Sequence, residues 1–162
     1  MFSECQTEQI CQSGNRLNNK LIMSYNTIFK KNNNLTTNQK ILSRTKNTPE
    51  VILDTDGIIK LTGRLITENP VDFFIVFEEW IEEYFKKPAE ITYVEIYLEF
   101  INSVGTKFLL DAIHKITHIH LRKNEKRFII NWCYKDEDED MLEKGTFFAS
   151  LLGIPFNYII IS

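Results

Sequence analysis

Residues 90–121 have the sequence EITYVEIYLEFINSVGTKFLLDAIHKITHIHL, and this stretch decides the fold. In its first part, apolar or β-branched residues alternate with tyrosines and glutamates. This alternation is typical of a strand with one face against a core. A polar turn at Asn102-Ser103 follows. Apolar residues then recur every three or four positions, which predicts an amphipathic helix from Ser103 to about Leu121. The strand residues predicted to face the core are Thr92, Val94, Ile96, Leu98 and Phe100.

The alternation typical of strands and the spacing of three or four typical of helices continue on both sides of this stretch. In chain order the further predicted elements are two strands joined by a tight turn at Asp56-Gly57 (49–65), a helix (71–85), a strand (127–134), a helix (141–152) and a last strand (156–161). The order β-β-α-β-α-β-α-β, with strands and helices alternating, indicates an α/β fold. We therefore expect one domain with a mixed sheet of about five strands, packed with three helices.

The first part of the chain differs from the rest in charge and composition. Residues 1–48 have seven Lys and Arg against two Asp and Glu, whereas the remaining residues have twelve against twenty. The first part is also rich in Asn and has no sustained apolar period. The sequence therefore predicts a flexible, basic N-terminal arm over residues 1–47 and a folded domain over residues 48–162.

The bulk properties exclude several classes of protein. The formal net charge is -3, which favours neither nucleic acid nor an anionic membrane as a partner. The longest apolar runs are too short to span a membrane, so we expect no membrane insertion. Cys5, Cys11 and Cys133 fit neither a zinc site nor a disulfide framework. A reducing, cytoplasmic setting is the simplest interpretation.

Ser103 lies where the predicted strand ends and the predicted helix begins. A serine at this position is suited to cap the helix by accepting from its free N–H groups. The same N–H groups and the helix dipole also stabilise an added phosphate. Lys107 could pair with that phosphate, and Gly105 would keep the turn open to another chain. For a serine taken alone, a purely structural cap is the commoner role.

Two related families share this segment. It resembles the phosphoacceptor loop of anti-sigma-factor antagonists, the STAS-type proteins, with Asn102 in place of an Asp. The chain also resembles the SiaC family of regulatory phosphoproteins over most of residues 48–160. The shared motifs, in order, are Thr48-Pro49 with the hairpin to Gly63, the bend Glu68-Asn69-Pro70, Phe73-Phe74, Trp80 and Tyr84, the loop Phe100 to Lys107, and Trp132, Tyr134, Asp136–Asp140, Met141, Glu143 and Gly145.

The resemblance implies a STAS-like domain that is a partner switch and has no enzymatic activity. In such proteins a dedicated protein kinase phosphorylates the loop hydroxyl and a PP2C-type phosphatase removes the phosphate. The unphosphorylated form binds and activates a diguanylate cyclase in the control of biofilm and aggregation. The acceptor expected here is Ser103, with Thr106 as second choice. The expected partner-binding residues are Asn102, Ser103, Val104, Gly105, Thr106, Lys107, Asp136, Asp138 and Asp140.

The loop departs from the family pattern at four positions, one of which is Phe100 in place of a tyrosine. Ser103 replaces a threonine, and Val104 and Gly105 replace two residues with hydroxyl groups. A kinase can discriminate between serine and threonine, and the lost hydroxyls could alter the choice of partner. The alternative is therefore a constitutive STAS-type binding module without control by phosphate.

Other polar clusters have simpler interpretations than a catalytic or metal site. The run Asp136–Asp140 lacks the glycine and the ligand spacing of a calcium loop, so a solvated turn before a helix is expected. His114 and His118 share a helical face, but no further ligand completes a site, and we expect surface histidines there. Cys133, in a predicted strand, is expected in the core. No cofactor and no metal are expected.

Overall fold

The computed structural model describes residues 39–66, 71–122 and 127–161. Six strands are present there: β1 (Gln39–Leu42), β2 (Glu50–Asp54), β3 (Ile58–Leu65), β4 (Ile91–Ile101), β5 (Arg127–Lys135) and β6 (Asn157–Ile161). Three helices alternate with them: α1 (Val71–Tyr84), α2 (Ser103–Arg122) and α3 (Glu139–Leu152). The α/β class and the predicted alternation of strands and helices are therefore confirmed.

The sheet is mixed, and its strands follow one another in the order β1-β2-β3-β4-β5-β6. The β1–β2 and β2–β3 pairs are antiparallel, whereas β3 to β6 are parallel. The β2–β3 hairpin turns at Asp56-Gly57 as predicted, and Gly57 has a φ of 100°, which favours glycine. Right-handed crossovers that move in one direction across a sheet put their helices on one face, and the buried residues of all three helices form a single cluster with the sheet.

The core lies between that face and the helices. Apolar side chains from β2 to β5 and from all three helices form one buried cluster, with Leu61, Ile96, Phe77, Ile113 and Phe148 among its fully buried members. The faces of α1 and α2 are also joined at the surface, where Lys115 Nζ lies 2.7 Å from Glu82 Oε1. The hydrogen bond to Lys115 lowers the pKa of the Glu82 carboxyl.

Strand β1 lies inside the segment that the sequence predicts as a flexible arm. It pairs with β2 from Gln39, opposite Asp54, to Leu42, opposite Val51. The strand has four residues, mostly exposed, so it has no buried alternation that a sequence pattern could reveal. Residues 39–47 therefore belong to the folded part, which corrects the predicted boundary at residue 48 and the predicted five strands. The rest of the predicted arm lies outside the described residues.

A β-bulge in β4 reverses the face of one predicted core residue. Gly63 of β3 is opposite Leu98, but the next residue, Arg64, is opposite Phe100, so Glu99 is the extra residue. From there on the alternation of β4 shifts by one position. Ile101 is consequently buried and Phe100 is 48% exposed, so the prediction of Phe100 in the core is wrong.

The end of β5 and helix α3 are joined by close packing around a tryptophan. The Trp132 indole Nε1 donates to the Met141 carbonyl at 2.8 Å, and both side chains are buried. A Cβ on Gly145 would lie 2.6 Å from the indole ring, so only glycine lets the helix approach this closely. Three of the motif residues that the sequence shares with the SiaC family thus hold α3 against the sheet.

Candidate functional site at the carboxyl edge of the parallel strands

The two loops expected to bind partners lie at the same edge of the sheet. The Asn102–Lys107 segment follows β4 and the Asp136–Asp140 run follows β5. These strands are parallel neighbours, so their carboxyl ends meet at one edge, where α/β proteins commonly bind ligands. The shared bend Glu68-Asn69-Pro70 lies outside the described residues.

Asn102, and not Ser103, caps helix α2. The Asn102 side-chain oxygen Oδ1 accepts from the Gly105 N–H at 2.8 Å, and its carbonyl accepts from the Thr106 N–H at 2.8 Å. Ser103 is then the first helical residue. The sequence prediction of a Ser103 cap is wrong by one position because Asn and Ser cap helices about equally well, and only the backbone geometry separates them.

This one-residue shift leaves the Ser103 hydroxyl available. Ser103 is exposed, and among the residues that the structure describes its hydroxyl has no hydrogen-bond partner. Thr106 is only half exposed, and its hydroxyl donates to the Asn102 carbonyl at 2.9 Å. Of the two candidate acceptors, Ser103 is therefore the accessible one.

Gly105 allows the start of α2 to pack closely against the end of β3. It is buried, and a Cβ there would lie 2.7 Å from both the carbonyl oxygen and the Cγ of Leu65 at the end of β3. The Asn102 N–H donates to the same Leu65 carbonyl at 3.0 Å, which fixes the start of α2 against β3. The expectation that Gly105 opens the turn to another chain is therefore corrected.

Two apolar residues close to Ser103 in the sequence have exposed side chains. Phe100 is 48% exposed because of the bulge, and Val104 is 39% exposed in the first turn of α2. The guanidinium carbon of Arg64 lies 5.9 Å from the centre of the Phe100 ring, within the range of a cation–π contact. Lys107 is exposed one turn further along the helix. The segment that contains Ser103 thus presents both apolar and cationic side chains at the surface.

Sequence reasoning missed Arg44 and Arg64 as parts of this surface. Arg44 Nη2 lies 3.1 and 3.0 Å from the two carboxylate oxygens of Glu99, so it holds the residue that forms the bulge. Arg44 precedes Thr48-Pro49, the first of the motifs considered in the sequence, and it is 55 positions from Glu99. The strand register brings Arg64 beside Phe100. Only the fold brings these residues together.

The acidic run is mainly the start of helix α3. Asp138 is the N-cap, and its Oδ1 accepts from the Met141 N–H at 3.1 Å. Glu139 and Asp140 occupy the first turn, where negative charge is stabilised by the helix dipole. Asp136 and Asp140 are exposed, whereas Asp138 is half-buried in its capping role. Of the three aspartates expected to bind partners, Asp136 and Asp140 present free surface.

The remaining polar candidates are two exposed histidines and a buried cysteine. The exposed His114 and His118 rings stack with centroids 6.0 Å apart, and no group of three or more metal-ligating side chains is found in the described ranges. Cys133 is buried, as predicted. Burial raises the pKa of its thiol to about 12, and the Glu95 carboxylate adds to this shift.

The family assignment follows from the sequence as a whole. Residues 42–161 match the model of the SiaC family of regulatory phosphoproteins. This match covers most of the chain. The chain belongs to the SiaC family. The assignment confirms the resemblance that the motifs from Thr48-Pro49 to Gly145 indicate, and it places β2 to β6 and the three helices within the family domain.

Solved structures of SiaC share the fold of this SiaC-family chain. One is the crystal structure of the diguanylate cyclase SiaD in complex with its activator SiaC from Pseudomonas aeruginosa. The match has 19% identity and a TM-score of 0.65, and it covers 75% of this chain and 97% of that chain. Another is apo-SiaC from Pseudomonas aeruginosa, with 17% identity, a TM-score of 0.64, and coverage of 76% and 98%. No curated protein matches the chain.

The family motifs divide into two groups by their place in the structure. Trp132, Met141 and Gly145 are buried and fix α3 on the sheet. Ser103 and Lys107 are exposed at the carboxyl edge. The helices of the described ranges include none that is long and apolar enough to cross a membrane.

Proposed function

We propose that this protein is a non-enzymatic partner switch in which reversible phosphorylation of Ser103 controls binding to an effector. The effector that fits best is a diguanylate cyclase. SiaC from Pseudomonas aeruginosa, which shares the fold of this chain, is the activator of the diguanylate cyclase SiaD. The observation that most supports the proposal is the exposed Ser103 hydroxyl, which the Asn102 cap leaves available at the start of α2.

The surroundings of Ser103 have the composition of a protein-binding surface. An exposed aromatic ring and a neighbouring arginine are the residue types that contribute most to protein interfaces. Phe100 and Arg64 provide them, and Val104 extends the apolar part. We infer that the effector covers Phe100 and Val104 and presents a carboxylate to Arg64 or Lys107. Asp136 and Asp140 on the adjacent loop would face the rim of the same interface.

A phosphate on Ser103 would oppose this contact. It adds nearly two negative charges to a segment whose two exposed apolar side chains the effector must cover. Burying an unpaired charge in an interface costs about 3 kcal/mol or more, which corresponds to a loss of affinity of at least about 100-fold. We therefore infer that the unphosphorylated form binds the effector. A protein kinase and a PP2C-type phosphatase would set the balance, as the family resemblance implies.

The test compares defined phosphorylation states of the full chain. Phosphoserine incorporated at position 103 during translation provides a homogeneous phosphorylated protein, and calorimetric titration measures its affinity for a SiaD-type cyclase. We expect binding by the unmodified protein and by Ser103→Ala, and an affinity at least about 100-fold lower with phosphoserine. Thr106→Ala is the matched control, because it removes the neighbouring hydroxyl and should leave the phosphate effect intact.

The outcomes separate the switch from the alternative. Equal affinity with and without phosphate would favour a constitutive STAS-type binding module. A separate measurement assigns the residue that accepts the phosphate. With ATP and an extract of the organism's own cells, the wild type should gain one phosphate and Ser103→Ala should gain none. Phosphorylation of Ser103→Ala at the wild-type level would contradict Ser103 as the acceptor.

A further inference from the structure

The fold holds most of the residues beside Ser103 in place. Ile101 and Gly105 are buried, one on each side of it in the sequence. Asn102 and Thr106 are half-buried, and the Thr106 N–H donates to the Asn102 carbonyl at 2.8 Å. The Asn102 N–H donates in turn to the carbonyl of the last residue of β3 at 3.0 Å. A protein that approaches Ser103 therefore meets few of the residues that precede and follow it in the sequence.

The surface neighbours of Ser103 along α2 follow the spacing of a helix. Ser103, Lys107 and Asp111 are exposed, at intervals of four residues, and we call them the outer row of α2. Residues four apart lie on the same side of a helix, about 6 Å apart along its axis. In an extended chain they are about 13 Å apart. The outer row is therefore a single surface only while α2 is folded.

We propose that the protein kinase that modifies Ser103 recognises α2 in its folded form, with Lys107 and Asp111 as specificity-determining residues. This inference rests on the proposed function, in which Ser103 is the acceptor. In the transfer, the Ser103 Oγ forms a bond to the γ-phosphorus of ATP, the bond from that phosphorus to the bridging oxygen breaks, and ADP leaves. The hydroxyl proton passes to a base of the kinase.

The alternative is a kinase that binds an extended segment on both sides of the acceptor. Such a kinase must first open the start of α2. Opening exposes the buried Ile101 side chain and breaks the hydrogen bond from the Gly105 N–H to Asn102 Oδ1. These losses leave at most about one molecule in 100 open. An extended-segment kinase would therefore act on the folded chain far more slowly than on an unfolded copy of the same segment.

The charges of the outer row give a folded-state kinase something to recognise. Lys107 and Asp111 carry opposite charges, about 6 and 12 Å from Ser103 along the helix axis. The ion pairs among the described residues involve neither of them. A kinase surface with an acidic group opposite Lys107 and a basic group opposite Asp111 would complement this row, and such complementarity confers specificity.

A comparison of two substrates tests recognition of the folded helix. The full chain and a synthetic peptide of residues 96–112 are incubated at equal, low concentration with ATP and an extract of the organism's own cells. A peptide of this length has little stable helix in water, so we expect the full chain to be phosphorylated at Ser103 at least about tenfold faster. A peptide that is phosphorylated as fast as the full chain, or faster, would overturn the proposal.

Asn102→Ala provides a second test, because it loosens the start of α2 without changing the outer row. It should not raise the rate of phosphorylation of the full chain. Since the lost cap makes opening easier, an increase of about fivefold or more would indicate an extended-segment kinase and overturn the proposal. Phosphorylation of Ser103→Ala at the wild-type level is a different result, since it would remove Ser103 as the acceptor and with it the proposed function.

Lys107→Ala and Asp111→Ala test the specificity residues. Each should lower the rate for the full chain about tenfold or more, and neither should change the rate for the peptide. Both side chains are exposed, so the fold tolerates the substitutions. Lys87→Ala is the matched control, because Lys87 is an exposed lysine that precedes β4, at the opposite end of that strand from Ser103. Unchanged rates in both outer-row variants, or an equal loss in Lys87→Ala, would overturn the roles of Lys107 and Asp111.

Discussion

Replacing Asn102 should destabilise the protein, whereas replacing Ser103 should not. In Asn102→Ala the Gly105 N–H loses the Oδ1 acceptor that lies 2.8 Å away. Loss of an N-cap costs about 1 kcal/mol, and leaving a buried N–H without an acceptor costs about 1–3 kcal/mol. Because Gly105 is buried, water cannot readily replace the lost acceptor. We expect a decrease of about 1–2 kcal/mol in the free energy of unfolding.

Ser103→Ala removes an exposed hydroxyl that has no partner among the described residues. Exposed substitutions of this kind change stability by less than about 0.5 kcal/mol. Asn102→Asp is the matched control, because aspartate keeps the capping oxygen and adds a charge that the helix dipole favours. Its stability should equal or exceed that of the wild type.

Urea denaturation followed by circular dichroism measures the three variants, and thermal melts provide a second readout. A loss of 1–2 kcal/mol corresponds to a decrease in Tm of roughly 4–8 °C for a domain of this size. If Ser103→Ala lost as much stability as Asn102→Ala, Ser103 would be the cap. Its hydroxyl would then be engaged in the fold, and the argument for an available acceptor would be refuted.

Three further predictions concern the sheet and helix α3. Gly145→Ala should lower the free energy of unfolding by about 2–3 kcal/mol, because the added Cβ meets the Trp132 indole. The same contact should change the near-UV circular dichroism of Trp132. Gly153→Ala is the control, because a Cβ at Gly153 has open space around it and should leave that signal unchanged. Thr62→Val should stabilise by about 0.5–1 kcal/mol, since the Thr62 hydroxyl is buried without a partner among the described residues, and a lower urea midpoint would contradict this. Cys133, with its raised thiol pKa, should react with iodoacetamide at pH 8 only when urea unfolds the protein; rapid labelling of the folded protein would argue against a buried thiol.

The periodic parts of the sequence determined the fold class and the location of the candidate site. Alternation in β4 and the apolar period of α2 are local patterns, and they predicted both elements and the loop between them. The Asp56-Gly57 turn was equally local, since glycine tolerates the positive φ that the turn requires. The motif residues around Trp132 were visible in the sequence, although their packing was not.

The features that the sequence did not determine all depend on residues far apart in the chain. Strand β1 is held by its pairing with β2, and no buried pattern marks it. The bulge that exposes Phe100 depends on the register between β3 and β4, which a single strand does not encode. The choice of cap between Asn102 and Ser103 was decided by where Gly105 packs against Leu65. Local periodicity specifies which elements form, but register and packing, which arise only when strands meet, decide which side chains reach the surface.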